Sequence, residues 1–483
     1  MSHPNIGFLL AAVAALVVAR AAAAQCPDGT PAPCGPGRAA LPRIQVLDLQ
    51  PEDSAYAYIA SGIAADVQAA LLASHAVVVV GPRASRASAD YVLAGSARRA
   101  GEGVVVRCRL ERARTGRIVW TTRLGRAPRD LPALGLALAT DALRAIGIRT
   151  TPGPAAAQAD PGSYDLVMRV RYLVSRRTEP AMTRALGLAR EAIARDSMSA
   201  LAWAGLADAL DWAMVWRFRI AGLSAESTLA VALAATERAA ELAPSDRRVR
   251  LLQAEIGQRV DPTDRTASIR AYRAILAADS LDADAWQRLA MNLLETNQHA
   301  AAVAAYHRAV ALDPGDAEKL TYLGFALFVS RQFDSAAAWC ARAVAADPTY
   351  MLARAQSGQV ALWRGRLDEA QAQFEAADRL LLSTQDRPGL MELARVLVVR
   401  GDTAGARAYV RAAEAAADSV RPGVHLAAAL GDAYLAVGDT ARAFWWLERY
   451  RPRRDAHFQL HLRDEPAFDG VRRDPRFLAL VAP

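Results

Sequence analysis

The spacing of apolar positions divides the chain into a short α/β part and a longer helical part. Between residues 43 and 125, apolar residues alternate with polar ones or form short runs, which is typical of β-strands. The predicted strands are 43–50, 76–82, 91–99, 104–112 and 117–125, and the predicted helices are 57–74 and 130–147. We therefore expect a compact α/β domain over residues 43–148.

The last two predicted strands form a hairpin that turns at Thr115 and Gly116. Four apolar side chains share one face of its first strand, namely Val104, Val106, Cys108 and Leu110. Arg107 and Arg109 lie on the opposite face. The sheet is therefore expected to be covered on one side only.

A linker is predicted at 149–163, and beyond it the chain is helical and repeats itself. The sequence "HRAVALDPGD" starts at His307, and the near copy "ARAVAADPTY" starts at Ala341, 34 residues later. The repeated positions are Trp286, Leu289, Ala290, Leu293, Ala302, Tyr306, Ala309 and Pro314, then Leu320, Leu323, Gly324, Leu327, Ala336, Cys340, Ala343 and Pro348. Small residues let two helices approach closely, and proline ends the second helix. This arrangement resembles the tetratricopeptide repeat (TPR).

Weaker copies continue the register on both sides of these two units. We count about eight helical hairpins over 164–457, followed by a cap at 458–483. The predicted fold is mostly α: a TPR α-solenoid, a superhelix of helical hairpins, preceded by a small α/β domain.

The α/β segment also resembles a known domain. "ADYVLAGSARRAGEGVVVRCRLERARTGRIVW" (89–120) is similar to the TolB-like or FlgO-like domain of bacterial proteins, in which a G-S-x-R strand and a hairpin precede a T-G-x-x-x-W strand. The resemblance implies that TPR hairpins follow the domain. Many relatives carry a kinase, nucleotide cyclase or DNA-binding domain in front, whereas here only the N-terminal 42 residues precede Arg43.

The N-terminus has the pattern of a secretory signal peptide. Ile6–Val18 is an apolar run of 13 residues, too short to span a bilayer easily, and Ala22 and Ala24 suit cleavage before Gln25. The alternative is a buried N-terminal helix, because "MSHPN" lacks Lys or Arg. We expect a signal peptide at 1–24, a Pro/Gly-rich tether at 25–42 and an exported, periplasmic protein. No transmembrane span is expected after cleavage.

The four cysteines divide into two pairs with different expectations. Cys26 and Cys34 bracket a short Pro-rich loop that an oxidising compartment could close as a disulfide. Cys108 and Cys340 stand alone at apolar positions and are expected to be core thiols.

The net charge is +8 and comes almost entirely from arginine, since Lys319 is the single lysine. Eight arginines lie between residues 107 and 129, with Arg107 and Arg109 on one strand face. They could bind an anionic partner, or they could simply form a solvated face. Export disfavours nucleic acid as that partner.

Aromatic residues cluster in the helical part at 211–224. Trp212, Trp216 and Phe218 could form an interface, or they could pack against a neighbouring helix.

No sequence motif for catalysis is present, so we expect neither an enzyme nor a cofactor. The chain lacks a phosphate-binding loop, a G-x-S-x-G elbow, an H-E-x-x-H motif and a C-x-x-C pair. His457 and His461 could share a helical face as metal ligands, but with no third ligand they are expected to be surface or cap residues, and no metal site is predicted.

The first helix of each hairpin should line the concave side of the superhelix. By register, the residues that face inward are Gln287, Met291, Thr321, Phe325, Phe328, Gln359, Trp363 and Arg395. This mixture of apolar and polar groups suits a protein or peptide partner, although core packing is equally compatible with each residue alone.

The leading hypothesis is a non-enzymatic exported scaffold that binds a protein or peptide of the cell envelope through this groove. The alternative is a cytoplasmic sensory or regulatory TPR protein that has lost its effector domain.

Overall fold

The computed structural model describes residues 41–82, 84–149, 160–176, 178–215, 218–220, 222–380, 388–418, 424–449 and 456–482. The predicted signal peptide, nearly all of the tether, Cys26, Cys34 and Trp216 lie outside these residues.

The N-terminal part is a mixed sheet with two helices on one side. Its strands are β1 (Arg43–Val46), β2 (Gln50–Pro51), β3 (Val78–Val80), β4 (Tyr91–Ala100), β5 (Gly103–Arg112) and β6 (Ile118–Arg126). The order is β3-β1-β4-β5-β6, with β2 also paired to β4, and the pairs are parallel up to β4 and antiparallel beyond it. The helices α1 (Ala57–Ala73) and α2 (Leu134–Ala145) share one apolar core with the sheet.

The alternation along β5 agrees with the prediction. Val106 and Leu110 are fully buried beneath the helices, whereas Arg107 and Arg109 are exposed on the other face. The segment Ser54–Ala73, which includes α1, is the one helix of the described residues long and apolar enough to cross a membrane. Ile59, Ile63 and Val67 of α1 are buried in the domain core, as expected of a core helix.

Sixteen helices of the described chain then form eight consecutive pairs. The pairs are α3 (Pro161–Ser175) with α4 (Glu179–Arg195), α5 (Ala200–Val215) with α6 (Ala225–Leu242), α7 (Arg247–Gly257) with α8 (Thr266–Ala278), α9 (Ala283–Glu295) with α10 (His299–Leu312), α11 (Ala317–Val329) with α12 (Phe333–Ala346), α13 (Met351–Trp363) with α14 (Leu367–Arg379), α15 (Pro388–Val399) with α16 (Thr403–Asp418), and α17 (Val424–Ala436) with α18 (Thr440–Arg449). Two further helices, α19 (Ala456–Asp464) and α20 (Pro475–Val481), follow. The fold class predicted from the sequence is confirmed.

The repeated small residues lie where the two helices of a pair touch. Ala302, Ala309, Ala336 and Ala343 are fully buried. A Cβ atom added to Gly324 would lie 2.5 Å from Sγ of Cys340, the facing residue of the second helix. The 34-residue pattern is therefore a pattern of close helix contacts.

The turns within and between pairs also repeat. Asn297, Arg331 and Gly365 occupy the same place between the two helices of successive pairs, and each has a positive φ of 62°, 62° and 75°. Between pairs, Asp282 and Asp316 accept hydrogen bonds from the third residue of the next helix, at 2.9 and 2.8 Å. These N-caps stop one pair and start the next.

The α/β domain and the helical pairs form one compact unit from Arg43 to Pro483. At the first pair, Tyr164 donates a hydrogen bond to Asp66, and Arg171 pairs with the same carboxylate at 2.7 Å. At the fourth pair, the Arg43 guanidinium donates to the carbonyl oxygens of Ala311 and Leu312, at 3.0 and 2.8 Å. The domain therefore bridges two pairs that are far apart in the sequence.

Candidate functional site

The first helices of the pairs form a curved inner face. The nine-residue helix α19, about 13 Å long, contacts both α9 and α17. These are the first helices of the fourth and eighth pairs, so the row of first helices must curve for one short helix to reach both. We call this concave surface the inner face.

Ion pairs link neighbouring first helices across the inner face. Arg248 and Arg259 of α7 reach back to Asp208 and Asp211 of α5, each at 2.5 Å. On the other side, Glu255 of α7 pairs with Arg288 of α9. These contacts hold the spacing of successive repeats and leave the inner face strongly polar in this region.

A second set of charges surrounds the single lysine. Lys319 of α11 lies 3.0 Å from Asp284 of α9 and 3.3 Å from Asp316. Burial alone would lower the pKa of Lys319, but the carboxylates of Asp284, Asp316 and Asp313 together raise it. The same ammonium group, helped by Arg247, holds the pKa of Asp284 well below its usual range. Lys319 is therefore a structural cation between α9 and α11.

Helix α19 lies against the inner face at the fourth and fifth pairs. Leu460 is fully buried in the same apolar cluster as Leu293 and Phe325. The ring of Phe325 lies 5.5 Å from the imidazole of His461. The Arg463 guanidinium donates to the carbonyl oxygen of Leu294 at 3.0 Å, close to the C-terminal end of α9. The chain thus places one of its own helices in the predicted groove.

Two histidines of α19 form a connected network with buried carboxylates. His457 Nδ1 lies 3.1 Å from Glu295 Oε1, and His461 Nδ1 lies 2.6 Å from Glu465 Oε1. The two Nε2 atoms face each other at 3.2 Å. If both Nδ1 atoms carry a hydrogen for the carboxylates, the Nε2 contact needs one shared proton, because two bare lone pairs would repel.

Glu295 holds this network to the repeats. It is buried and also pairs with the buried Arg265 of the preceding turn. Burial would raise the pKa of Glu295, but its bonds to His457 and Arg265 outweigh burial and lower it. Glu295 is therefore an ionised anchor for α19.

The predicted groove residues divide into three environments. Phe325 is covered by α19, and Met291 is half-buried against the same core. Thr321 is buried and donates to the carbonyl oxygen of Ala317 in its own helix. Phe328 is a correction, because it is fully buried with its ring 5.6 Å from Phe333 of the paired helix and therefore belongs to the core.

The remaining groove residues are half-buried on neighbouring first helices. Gln287 donates to Glu318 Oε1 at 2.9 Å. Trp363 lies beneath the Arg395 guanidinium, whose Cζ is 5.5 Å from the ring centre, and Arg395 pairs with Asp432 of α17. Gln359 is half-buried on α13. The structure does not gather all eight residues into one open pocket.

The sequence did not assign Glu295 and Leu460 to the site. Glu295 follows the apolar stripe of α9 and carries no motif, and Leu460 lies in the segment assigned to a terminal cap. Their contacts join positions more than 160 residues apart, which no local pattern records.

The secondary candidates are only partly available for binding. Trp212 and Phe218 are half-buried and pack against the core of the first three pairs, which matches the packing alternative. Arg107 and Arg109 are exposed, with Glu52 and Glu111 as their nearest carboxylates.

The described cysteines and histidines have structural surroundings. Cys108 and Cys340 are free, buried thiols, as predicted, and burial raises the pKa of each to about 12. Over the described ranges, no group of three metal-ligating side chains is placed to hold an ion.

Comparison with known proteins assigns the repeats. The tetratricopeptide repeat family model matches residues 260–317 and 287–350. The chain carries tetratricopeptide repeats. The matched model describes a structural repeat, and no enzyme family is indicated. A search of the curated proteins finds no match.

Several solved TPR structures are similar to the chain. Yeast Tom70 is 16% identical, with 68% of this chain and 69% of its own covered and a TM-score of 0.43. A tetratricopeptide repeat protein from Parabacteroides merdae is 16% identical, with 49% and 91% covered and a TM-score of 0.39. YrrB, described as a TPR protein with an unusual peptide-binding site, is 20% identical, with 40% and 91% covered and a TM-score of 0.28. These likenesses concern the fold alone.

Proposed function

We propose that this protein is a non-enzymatic scaffold that binds a helical segment of a partner protein on the inner face of its TPR superhelix. The observation that carries the proposal is helix α19. It shows that the inner face between α9 and α11 accepts a helix through one buried leucine, one aromatic contact and several polar contacts.

The contacts of α19 define the chemistry of the partner. His457, Leu460 and Arg463 are three residues apart and so share one side of a helix. They meet, in turn, the Glu295 carboxylate, the Phe325 cluster and the carbonyl at the end of α9. The C-terminal end of a helix carries partial negative charge, which favours a cation there. A partner helix with a basic residue three positions before a leucine and another three after it fits this site.

Partner binding requires α19 to move away from α9 and α11. Its opposite side is apolar, with Phe458 and Leu462 packed against Phe444 and Leu447 of the last pair. Its side toward α9 and α11 is largely polar, and polar contacts are readily exchanged for others. We therefore propose that the cap stays on the last pair while the contact with the middle pairs opens.

We also propose that the scaffold is exported and works in the cell envelope, with a TolB-like accessory domain at its N-terminus. The apolar run at 6–18, followed by small residues before Gln25, supports export. The resemblance of residues 89–120 supports the accessory domain.

A reversible lock across the cap tests the proposal. Arg331 pairs with Asp469 of the cap at 2.8 Å, so cysteines at these two positions can be joined by a cleavable bismaleimide. We expect the locked protein to capture little of its partner from envelope extracts and the same sample to recover capture after cleavage. Equal capture in both states would show that the partner binds elsewhere.

A further inference from the structure

Strand β6 lies at the end of the sheet with one side unpaired. It is the last strand in the order β3-β1-β4-β5-β6 and bonds to β5 alone. Within the described chain, no backbone group of residues 118–126 makes a backbone hydrogen bond outside that pairing. An edge strand of nine residues is a row of donors and acceptors that an extended chain can pair with.

The open face of the sheet beside this edge is strongly basic. Arg107 of β5 lies directly opposite Arg123 of β6. Like charges in that position repel each other, so the pair favours an anion between or above them. Glu52 lies 3.4 Å from Arg107, and within the described residues the structure gives Arg123 no carboxylate partner.

The covered side of β6 is apolar at the same edge. Trp120 and Leu124 are half-buried there, opposite Leu110 and Val106 of β5. Successive side chains of a strand point to opposite faces. A strand added beside β6 would place every second side chain near Trp120 and Leu124 and the others near Arg107 and Arg123.

We propose that the β6 edge binds an extended, acidic segment of a partner protein, in which apolar and carboxylate side chains alternate, as an additional strand of the sheet. Backbone pairing selects a polypeptide over a membrane or a nucleic acid, because neither of those presents a row of amide groups. A second copy of this chain fits poorly, because pairing two β6 strands brings their arginines together. This site is separate from the inner face of the repeats.

Binding of a defined probe to the full chain tests the charge requirement. The probe is a fluorescein-labelled peptide of five Val-Glu repeats, and the matched peptide has five Val-Lys repeats. We expect saturable anisotropy changes with the first peptide alone, and binding about tenfold weaker in the R107E/R123E double variant. The control R190E/R273E carries the same charge change on exposed helical positions and should bind like the unmodified chain. Equal weakening in both double variants would overturn the proposal.

An N-methylated probe tests strand addition on the unmodified protein. Methylating alternate amides of the Val-Glu peptide keeps its charge and removes the donors that face β6. We expect binding to fall at least about tenfold, and the unmethylated peptide to slow amide hydrogen exchange at residues 118–126. Equal binding of the methylated peptide would reduce the contact to simple charge attraction and overturn strand addition. Dimers of the free chain that the peptide dissociates would identify a second copy as the occupant.

Discussion

The ring of Phe325, on the first helix of the fifth pair, lies 5.5 Å from the imidazole of His461, on a helix near the C-terminus. This contact joins the middle of the superhelix to its end. It means that the inner face, which the repeat register assigns to a partner, is shared with a segment of the same chain. Several measurable consequences follow from this contact and from the packing that supports it.

Replacing Ala309 or Ala343 with tryptophan should destabilise the repeats. Both residues are fully buried between the helices of a pair, and overpacking costs about 1–3 kcal/mol. The melting temperature measures the effect, and A304W, at an exposed position of α10, is the control. An unchanged melting temperature in both A309W and A343W would reject the repeat register.

Replacing Glu295 with glutamine should both destabilise the protein and loosen α19. The change leaves the buried Arg265 without its ionised partner, and breaking a buried pair costs about 3–5 kcal/mol. Denaturant unfolding measures the stability, and hydrogen exchange at residues 456–464 measures the release of α19. E241Q, at an exposed ion pair, should change neither. Fast exchange at 456–464 already in the unmodified protein would contradict the anchoring role of Glu295.

The stability of the contact between the α/β domain and the fourth pair should depend on Asp313. Its Oδ1 accepts a hydrogen bond from the Gly81 backbone at 3.3 Å, and burial raises its pKa to about 6. A carboxyl group with a raised pKa favours folding most below its unfolded pKa of 3.8, and that contribution is lost as the pH rises through 6.

Replacing Asp313 with asparagine should therefore stabilise the protein above pH 6. The hydrogen-bond acceptor remains, and Lys319 keeps Asp284 and Asp316 as partners. We expect a gain of roughly 1–3 kcal/mol at pH 7.5 and little gain at pH 3.5, measured by thermal unfolding at both values. A loss of stability at pH 7.5 would show that the Asp313–Lys319 attraction outweighs the cost of burial.

The exported protein should begin at Gln25 and contain two reactive sets of cysteines. N-terminal sequencing gives the first residue of the mature chain. Thiol titration should find no accessible thiol before unfolding, because Cys108 and Cys340 are buried and Cys26 is expected to pair with Cys34. An intact Met1 on protein isolated from the cytoplasm would favour the regulatory alternative.

Much of the fold could be predicted because its signals are local. The alternation of Val106, Arg107 and Cys108 sets the two faces of β5, and the 34-residue spacing of alanines sets the helix pairs. The same register misplaced Phe328, because a residue at the rim of the inner face can turn toward its own paired helix, where Phe333 lies.

The occupied groove could not be predicted because its contacts are distant in the sequence. Glu295 and His457 are 162 residues apart, and they meet only because several helix pairs curve the chain back on itself. The domain contact between Gly81 and Asp313 has the same origin. Curvature is the sum of many small rotations between repeats, and no single residue encodes it.

Photo-cross-linking from position 325 tests the central claim most directly. A benzoylphenylalanine placed at Phe325 should cross-link to residues 456–464 in the purified protein and to a partner protein in intact cells. The same group at Trp445, which is exposed on α18, is the control and should yield neither product. A partner cross-linked from Trp445 but not from Phe325, with no link to residues 456–464, would contradict the assignment of the inner face as the binding site.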